Sequence, residues 1–233
     1  MAEPKRIKES YKISGARKFI GKKMTESLRD YPQGSGSIYF PVDAVLDLKD
    51  ELKAQNPNVS VTSVFVKLAA EALKEHPLIN SALIGDEFFI YDSINIAVGI
   101  GLPEGIMMVV VNEAQDKDVF QISDELQDMI AKLKTKKLGM EHMMNSTYTI
   151  SNMGMLEIDQ VTPFLNPPET GIMAIGTTKK QLVVNDDDTT SIKRMACFSV
   201  TINHAAIDGF HSGLFLKTFK KYLLDPKSFM GLK

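Results

Sequence analysis

The 233-residue sequence has one cysteine, Cys197, and a formal net charge of only −2. A single cysteine excludes an internal disulfide framework and favours a reducing compartment, so we expect a cytoplasmic protein. The small net charge provides no general attraction to nucleic acid or to an anionic membrane, and we expect neither as a partner. No apolar run approaches the ~18 residues of a membrane span, and the basic N terminus lacks the apolar segment of a secretory signal.

Several common functional motifs are also missing. Residues 99–105 only approximate a dinucleotide-binding fingerprint, because the third glycine comes one residue late and Pro103 interrupts the motif. The chain contains no Gly-x-Ser-x-Gly motif, which disfavours an ordinary serine hydrolase. It also contains no cluster of histidine, cysteine and carboxylate residues at metal-ligand spacing, so we expect no metal site.

The remaining composition is that of a folded domain, with 44% hydrophobic and 24% charged residues. We expect residues 1–12 to form a basic arm or linker remnant and residues 13–233 to form one domain with a sizeable core. Basic side chains outnumber acidic ones in residues 1–23. They indicate a solvated arm, an arm that docks on a neighbouring subunit, or the end of an interdomain linker.

Hydrophobic periodicity predicts alternating helices and strands. Helices are predicted at residues 17–29, 44–54, 60–74, 119–133 and 214–224. Strands are predicted at 38–42, 88–91, 94–100, 106–111, 147–150, 172–175, 182–184 and 195–202, with a loop at 32–37 and a hairpin turn at 185–188. The irregular order of these elements favours an α/β fold in which a mixed sheet carries helices on one face.

The most informative motif is Asn203-His204-Ala205-Ala206-Ile207-Asp208-Gly209. His204 follows a predicted strand and begins a loop, where a side chain can be rigidly held and still meet a substrate. Spacing alone leaves open a second interpretation, in which His204 is simply a hydrogen-bonded core or loop histidine.

The His-x-x-x-Asp-Gly pattern resembles the active-site motif of dihydrolipoamide acyltransferases and of chloramphenicol acetyltransferase. Three further segments resemble the acyltransferase component of 2-oxo acid dehydrogenase complexes. They are ISGARKFIGKKM at residues 13–24, FVKLAA with PLIN within residues 65–80, and STYTISNMG with TPFLNPPETGIMAIG within residues 146–176. The resemblance extends in order from about Ile13 to the C terminus. It implies a chloramphenicol acetyltransferase-like fold that assembles as a trimer.

The resemblance also implies roles for individual residues. In the family the motif histidine, here His204, is the general base, and the hydroxyl of Ser151 donates to the oxyanion. Asp208 belongs to the same catalytic motif and, by the resemblance, is expected to hold the loop through Arg17. The residues alone leave open a second interpretation, in which Asp208 caps the loop by binding backbone amides and Gly209 supplies a backbone conformation that other residues find costly. Coenzyme A, the acyl-carrying substrate, is expected to contact Ser60, Ser151, Asn152, Gly176 and Thr177.

The expected partners are further copies of the chain, in a homotrimer or a larger symmetric core, and a lipoyl group carried by a separate lipoyl domain. The sequence shows no lipoyl or peripheral-subunit-binding domain, so we expect an excised catalytic core or a free-standing relative. Five positions depart from the family pattern: Lys49 replaces an arginine, Gly101 an aspartate, Val109 a proline, Asn203 the aspartate before the histidine, and Ala205 the arginine after it. Two alternatives therefore stay open, a free-standing acetyltransferase of small hydroxyl substrates and a catalytically weak structural core.

Overall fold

The computed structural model describes residues 6–102 and 105–232. The helices are α1 (Gly15–Asp30), α2 (Asp43–Lys53), α3 (Val61–Glu75), α4 (Val119–Lys134), α5 (Gly209–Leu224) and α6 (Pro226–Phe229). The strands are β1 (Gln33–Pro41), β2 (Ser81–Ile84), β3 (Glu87–Ile90), β4 (Ile96–Leu102), β5 (Gly105–Val111), β6 (Tyr148–Asn152), β7 (Gly171–Ile175), β8 (Lys179–Val184) and β9 (Thr190–Asn203).

Seven strands form one mixed sheet in the order β1-β9-β7-β6-β4-β5, with β8 pairing to the first half of β9. The pairs β4–β6 and β6–β7 are parallel, and the other pairs are antiparallel. Strands β2 and β3 form a separate hairpin. The predicted mixed sheet is therefore confirmed.

The main core lies between this sheet and helices α2 to α5. Helix α3 is buried along most of its length because it packs against α2, α4 and α5. The ring of Phe198 in β9 lies 5.6 Å from that of Phe65 and 5.5 Å from that of Phe219, both edge-on. Such edge-to-face pairs each contribute about 1 kcal/mol beyond the apolar area they bury. These contacts fix the helices against one face of the sheet.

The predicted loop at residues 32–37 is wrong, because β1 already begins at Gln33. Glycine and serine are uncommon in strands, so the sequence of this segment did not indicate one. Its serine side chains form hydrogen bonds with side chains of β9. The hydroxyl of Ser35 lies 2.8 Å from that of Thr201, and the hydroxyl of Ser37 lies 2.8 Å from that of Ser199. The backbone pairs continuously with β9. Tertiary pairing therefore overrides the low strand propensity of glycine and serine.

Other elements also differ from the sequence predictions. Strand β9 begins at Thr190 rather than at residue 195, and α6 was not predicted. Helix α5 begins at Gly209 rather than at Leu214, because Phe210 in its first turn is 72% exposed and breaks the apolar period. The short strand β2 was not predicted. Residues 99–102 and 105 lie in the β4–β5 hairpin, with Gly105 at a φ of +135°. Pro103 lies outside the described residues. In the described part of the chain, no helix is long and apolar enough to cross a bilayer.

Candidate active site

His204 lies immediately beyond the last residue of β9, where two backbone contacts fix the turn. Its own N–H donates to the carbonyl of Pro32 at 2.7 Å. The side chain of the preceding residue, the buried Asn203, accepts from the N–H of Ala205 at 3.1 Å. The imidazole itself is half-exposed, with Nδ1 3.9 Å from a carboxylate oxygen of Asp208. The backbone of His204 is thus held firmly while its ring is available to a substrate.

Asp208 is the N-cap residue of α5 and is largely exposed. Its backbone N–H donates to Nδ1 of His211 at 3.3 Å, and its carbonyl accepts from the N–H of His211 at 3.0 Å. The next residue, Gly209, does not have the left-handed φ that would require glycine, and a Cβ there would meet nothing within 4 Å. The expectation that Gly209 supplies a costly conformation was therefore wrong.

Arg17 lies in the first turn of α1. Among the described residues of a single chain, Arg17 forms no ion pair with Asp208, whose carboxylate lies beside the imidazole of His204. The pairing implied by the resemblance is thus not made within one chain. It stays a prediction for an assembled form.

Ser151 lies near the end of β6, on the sheet face opposite the helices, because its neighbour Ile150 points into the core. Its hydroxyl oxygen would be 3.6 Å from a Cβ built on Gly99, beside the side chains of Ile106 and Met108. The Ser151 side chain is half-buried and makes no hydrogen bond within the described part of the chain. The hydroxyl is therefore free to donate to a substrate in a partly apolar setting.

The other residues expected to contact coenzyme A gather at one place, where β6 and β7 end and α3 begins. They are Ser60, Asn152, Gly176 and Thr177. Asn152 joins the two elements, because its Nδ2 donates to the hydroxyl of Thr62 in α3 at 3.0 Å while its Oδ1 accepts from the N–H of Gly154. A Cβ on Gly154 would lie 3.2 Å from the carbonyl of Gly176 and 3.6 Å from Cα of Thr177. The structure therefore brings these residues together.

Two of these residues also have structural roles. Ser60 caps α3 by accepting from the N–H of Ser63 at 3.1 Å. Gly176 must lack a side chain, because a Cβ there would lie 2.0 Å from the carbonyl oxygen of Asp159. Helix capping therefore explains the serine at position 60, and close packing explains the glycine at position 176. Neither explanation depends on a bound ligand.

The Ser151 group and His204 lie at opposite ends of the sheet. Ser151 pairs with Ala174 of β7, which pairs with Ser199 of β9. Asn203 lies four residues further along β9 and two strands away from β6. With a rise of about 3.3 Å per residue and about 4.8 Å between strands, the Cα atoms of Ser151 and Asn203 are roughly 16 Å apart. A single chain thus holds two separated halves of the predicted site.

Comparison with known proteins identifies the family. The model of the 2-oxoacid dehydrogenases acyltransferase (catalytic domain) family matches residues 5–231. The chain belongs to this family. The dihydrolipoyllysine-residue acetyltransferase component of the pyruvate dehydrogenase complex from Zymomonas mobilis is 31% identical over 221 residues, covering 93% of this chain and 50% of that protein. The acyltransferase domain thus spans half the length of this relative.

Solved structures agree with this assignment. A probable dihydrolipoamide acetyltransferase from Listeria monocytogenes is 26% identical, with a TM-score of 0.88 over 93% of this chain and 94% of that one. The cubic core of the pyruvate dehydrogenase multienzyme complex shares the fold at 21% identity, with a TM-score of 0.89 over 99% and 100% of the two chains. Chloramphenicol acetyltransferase shares it at 15% identity, with a TM-score of 0.55 over 87% and 94%. The predicted family and fold are therefore confirmed.

The acyltransferase domain also contains a buried carboxyl group, that of Glu169, which sequence reasoning missed. Glu169 is 1% exposed and accepts hydrogen bonds from the hydroxyls of Ser146 and Thr149 and, at 2.6 Å, from the amide of Asn166. Burial raises the pKa of Glu169 to about 7, against these hydrogen bonds and the charge of Lys23. The one sequence feature that pointed to Glu169 is its position directly after Pro167 and Pro168, in the segment within residues 146–176 that resembles the acyltransferases. No three metal-ligating side chains converge in residues 6–102 and 105–232.

Glu169→Gln should weaken the pH dependence of stability. Unfolded glutamate has a pKa near 4.5 and buried Glu169 one of about 7, so between these values the folded chain holds a proton that the unfolded chain has lost. The free energy of unfolding should therefore fall as pH rises through this window, by up to about 3 kcal/mol, and stay low above it. Calorimetric Tm values between pH 4.5 and 8 should show this fall in the wild type and not in the variant. Exposed Glu157→Gln is the control, and parallel curves for Glu169→Gln and the wild type would contradict the assignment.

Proposed function

We propose that this chain is the catalytic part of an acyltransferase that moves an acyl group between coenzyme A and a dihydrolipoyl thiol. The observation that carries the proposal is the half-exposed imidazole of His204, held at the end of β9 in a chain of the acyltransferase family. The lipoyl thiol would arrive on a partner lipoyl domain. The acyltransferase relatives named above support this choice of substrates.

The reaction needs a base and an electrostatic partner for the transition state. In the proposed reaction, the imidazole of His204 removes the proton from the attacking thiol, whose ordinary pKa is about 8.5. The thiolate adds to the thioester carbonyl and forms a tetrahedral intermediate with a negative oxygen. Collapse of this intermediate breaks the other carbon–sulfur bond, and the departing thiolate takes the proton from the imidazolium. No covalent bond to the protein is required.

The hydroxyl of Ser151 is proposed to donate to the negative oxygen of that intermediate. A hydrogen-bond donor that is already positioned stabilises the transition state most strongly where negative charge develops. Apolar neighbours exclude water from such a site and so strengthen the electrostatic interaction. The apolar side chains of Ile106 and Met108 beside this hydroxyl provide such a setting. Because transfer in either direction passes through the same tetrahedral intermediate, Ser151 would act in both directions.

Coenzyme A fits the cluster around Asn152 as the second substrate. The cluster lies at the N-terminal end of α3, whose helix dipole favours negatively charged groups such as the coenzyme A phosphates. Ser60 and Thr177 contribute hydroxyls to the same region. Asn152 follows Ser151 at the end of β6, but their side chains point to opposite faces of the sheet. The thioester end of coenzyme A would therefore pass around the end of β6 to reach the Ser151 hydroxyl.

We propose that a complete site combines His204 of one copy with Ser151 and the coenzyme A cluster of another. The separation of roughly 16 Å within one chain leaves the two groups too far apart to act on one carbonyl carbon. A cyclic trimer has head-to-tail interfaces, which bring different surfaces of neighbouring copies together and can form three such sites. A trimer within a larger symmetric core accords with the shared fold of the cubic core.

Mixed assemblies test the shared site. Equal co-expression of His204→Ala and Ser151→Ala chains should restore about one quarter of wild-type sites, because in a randomly mixed cyclic trimer half of the copies supply His204 and half of their neighbours supply Ser151. Equal co-expression of the wild type with the His204→Ala, Ser151→Ala double variant provides the control. It should leave about one quarter of the wild-type number of intact sites if each site is shared between copies, and about one half if each site lies within one chain. Activity no higher than the average of the two single variants would contradict the shared site.

The choice of substrate is tested by thioester formation from acyl-CoA and dihydrolipoamide. Transfer to chloramphenicol or another small alcohol, with none to dihydrolipoamide, would instead support the hydroxyl acetyltransferase. Titration calorimetry with coenzyme A separates both from a structural core. An intact trimer without detectable coenzyme A binding would support that last alternative.

A further inference from the structure

We infer that Gly34 is a positioning residue for His204, because only glycine at this position of β1 leaves room for the imidazole ring. A Cβ built on Gly34 would lie 2.8 Å from Cδ2 and 3.8 Å from Cγ of His204. The first distance is well below van der Waals contact between two carbon atoms. The inference rests on the proposed role of His204 as the base.

The ring of His204 folds back over the strand that its own backbone contacts. Gly34 pairs with Ile202, two residues before His204, and the His204 N–H donates to the carbonyl of Pro32. The turn is therefore tied to β1 on both sides of Gly34. Because this backbone is fixed, the position of the imidazole ring depends on the size of the residue at position 34, over which the ring lies.

Two neighbours orient the imidazole. Its Cδ2 edge faces Gly34, and its Nδ1 faces the Asp208 carboxylate at 3.9 Å. Nε2 is then the nitrogen that faces neither group, and it can accept the thiol proton. Because Nε2 is bonded directly to Cδ2, any displacement of Cδ2 also displaces the proton-accepting atom.

The strand itself does not require glycine at this position. Glycine in a strand interior weakens the strand and often marks a close approach by another group. Gly36 is two residues further on and on the same face of β1, yet a Cβ there would meet nothing within 4 Å. The two glycines thus differ in one respect, the histidine ring above Gly34.

The test compares Gly34→Ala with Gly36→Ala in the assembled protein. Displacing a catalytic group by about 1 Å can cost roughly 10²-fold in rate, so Gly34→Ala should lower kcat by about that factor. KM for acyl-CoA should change little, because a Cβ on Gly34 would meet the imidazole and Ile202 and no residue of the coenzyme A cluster. Gly36→Ala should behave as the wild type. Both variants should keep the wild-type Tm, because the half-exposed ring can swing outward without moving the backbone.

A double variant shows whether the effect passes through the ring. Gly34→Ala combined with His204→Ala should be no slower than His204→Ala alone, because the displaced group is already absent. A kcat for Gly34→Ala within twofold of that for Gly36→Ala would overturn the inference, as would additive losses in the double variant. If His204→Ala itself kept wild-type kcat, the proposed base would fail as well. Normal kcat in Gly34→Ala beside an inactive His204→Ala would overturn only the role of Gly34.

Discussion

Replacing His204 with alanine should lower turnover by about 10²- to 10⁴-fold, the range for loss of a positioned general base. The Tm should stay at the wild-type value, because the imidazole is half-exposed and the bond that fixes the turn comes from the backbone N–H. Steady-state thioester formation and scanning calorimetry on the same preparation measure both quantities.

His142→Ala is the matched control, because His142 is a partly exposed histidine in the segment before β6. It should leave turnover unchanged. A His204→Ala protein that loses activity together with several degrees of Tm would indicate a structural histidine. Wild-type turnover would exclude His204 as the base.

Replacing Ser151 with alanine should lower turnover on the order of 10²-fold, as for the loss of one oxyanion donor. The hydroxyl makes no hydrogen bond within residues 6–102 and 105–232, so its removal leaves no protein group unsatisfied and stability should hold. Because the lost interaction forms only in the transition state, kcat should fall while KM for acyl-CoA stays nearly constant.

Ser191→Ala serves as the control for Ser151→Ala, since Ser191 is a half-buried serine on the β8–β9 hairpin. Its removal should not affect turnover. If Ser151→Ala raised KM and left kcat unchanged, the hydroxyl would bind the ground state and the oxyanion assignment would be wrong.

The sequence predicted the fold well wherever the apolar periodicity was clear or a segment resembled the acyltransferase family. Helix α3 and strand β7 agree with their predicted positions within a residue or two. The position of His204 at the end of a strand also followed from the pattern alone. Both results depend on local information, the spacing of apolar residues and the place where that spacing stops.

The failures arise from non-local contacts. The first half of β1, residues 33–37, was missed because its serines pair with hydroxyls more than 150 residues away. The buried carboxyl of Glu169 could not be recognised because two of its donors, Thr149 and Ser146, come from β6 and the segment before it. The contact between Gly34 and His204 joins residues 170 positions apart. The distance between His204 and Ser151 depends on strand order and register, which local periodicity does not encode.

The separation of His204 from Ser151 bears on how activity first arises in the cell. A newly made chain that has folded alone carries the proposed base at one end of its sheet and the proposed oxyanion donor at the other. Under the proposed shared site, such a chain is inert toward thioesters until it meets its neighbours. The onset of catalysis would then report assembly rather than folding, and acyl groups would not be drawn from coenzyme A by unassembled subunits.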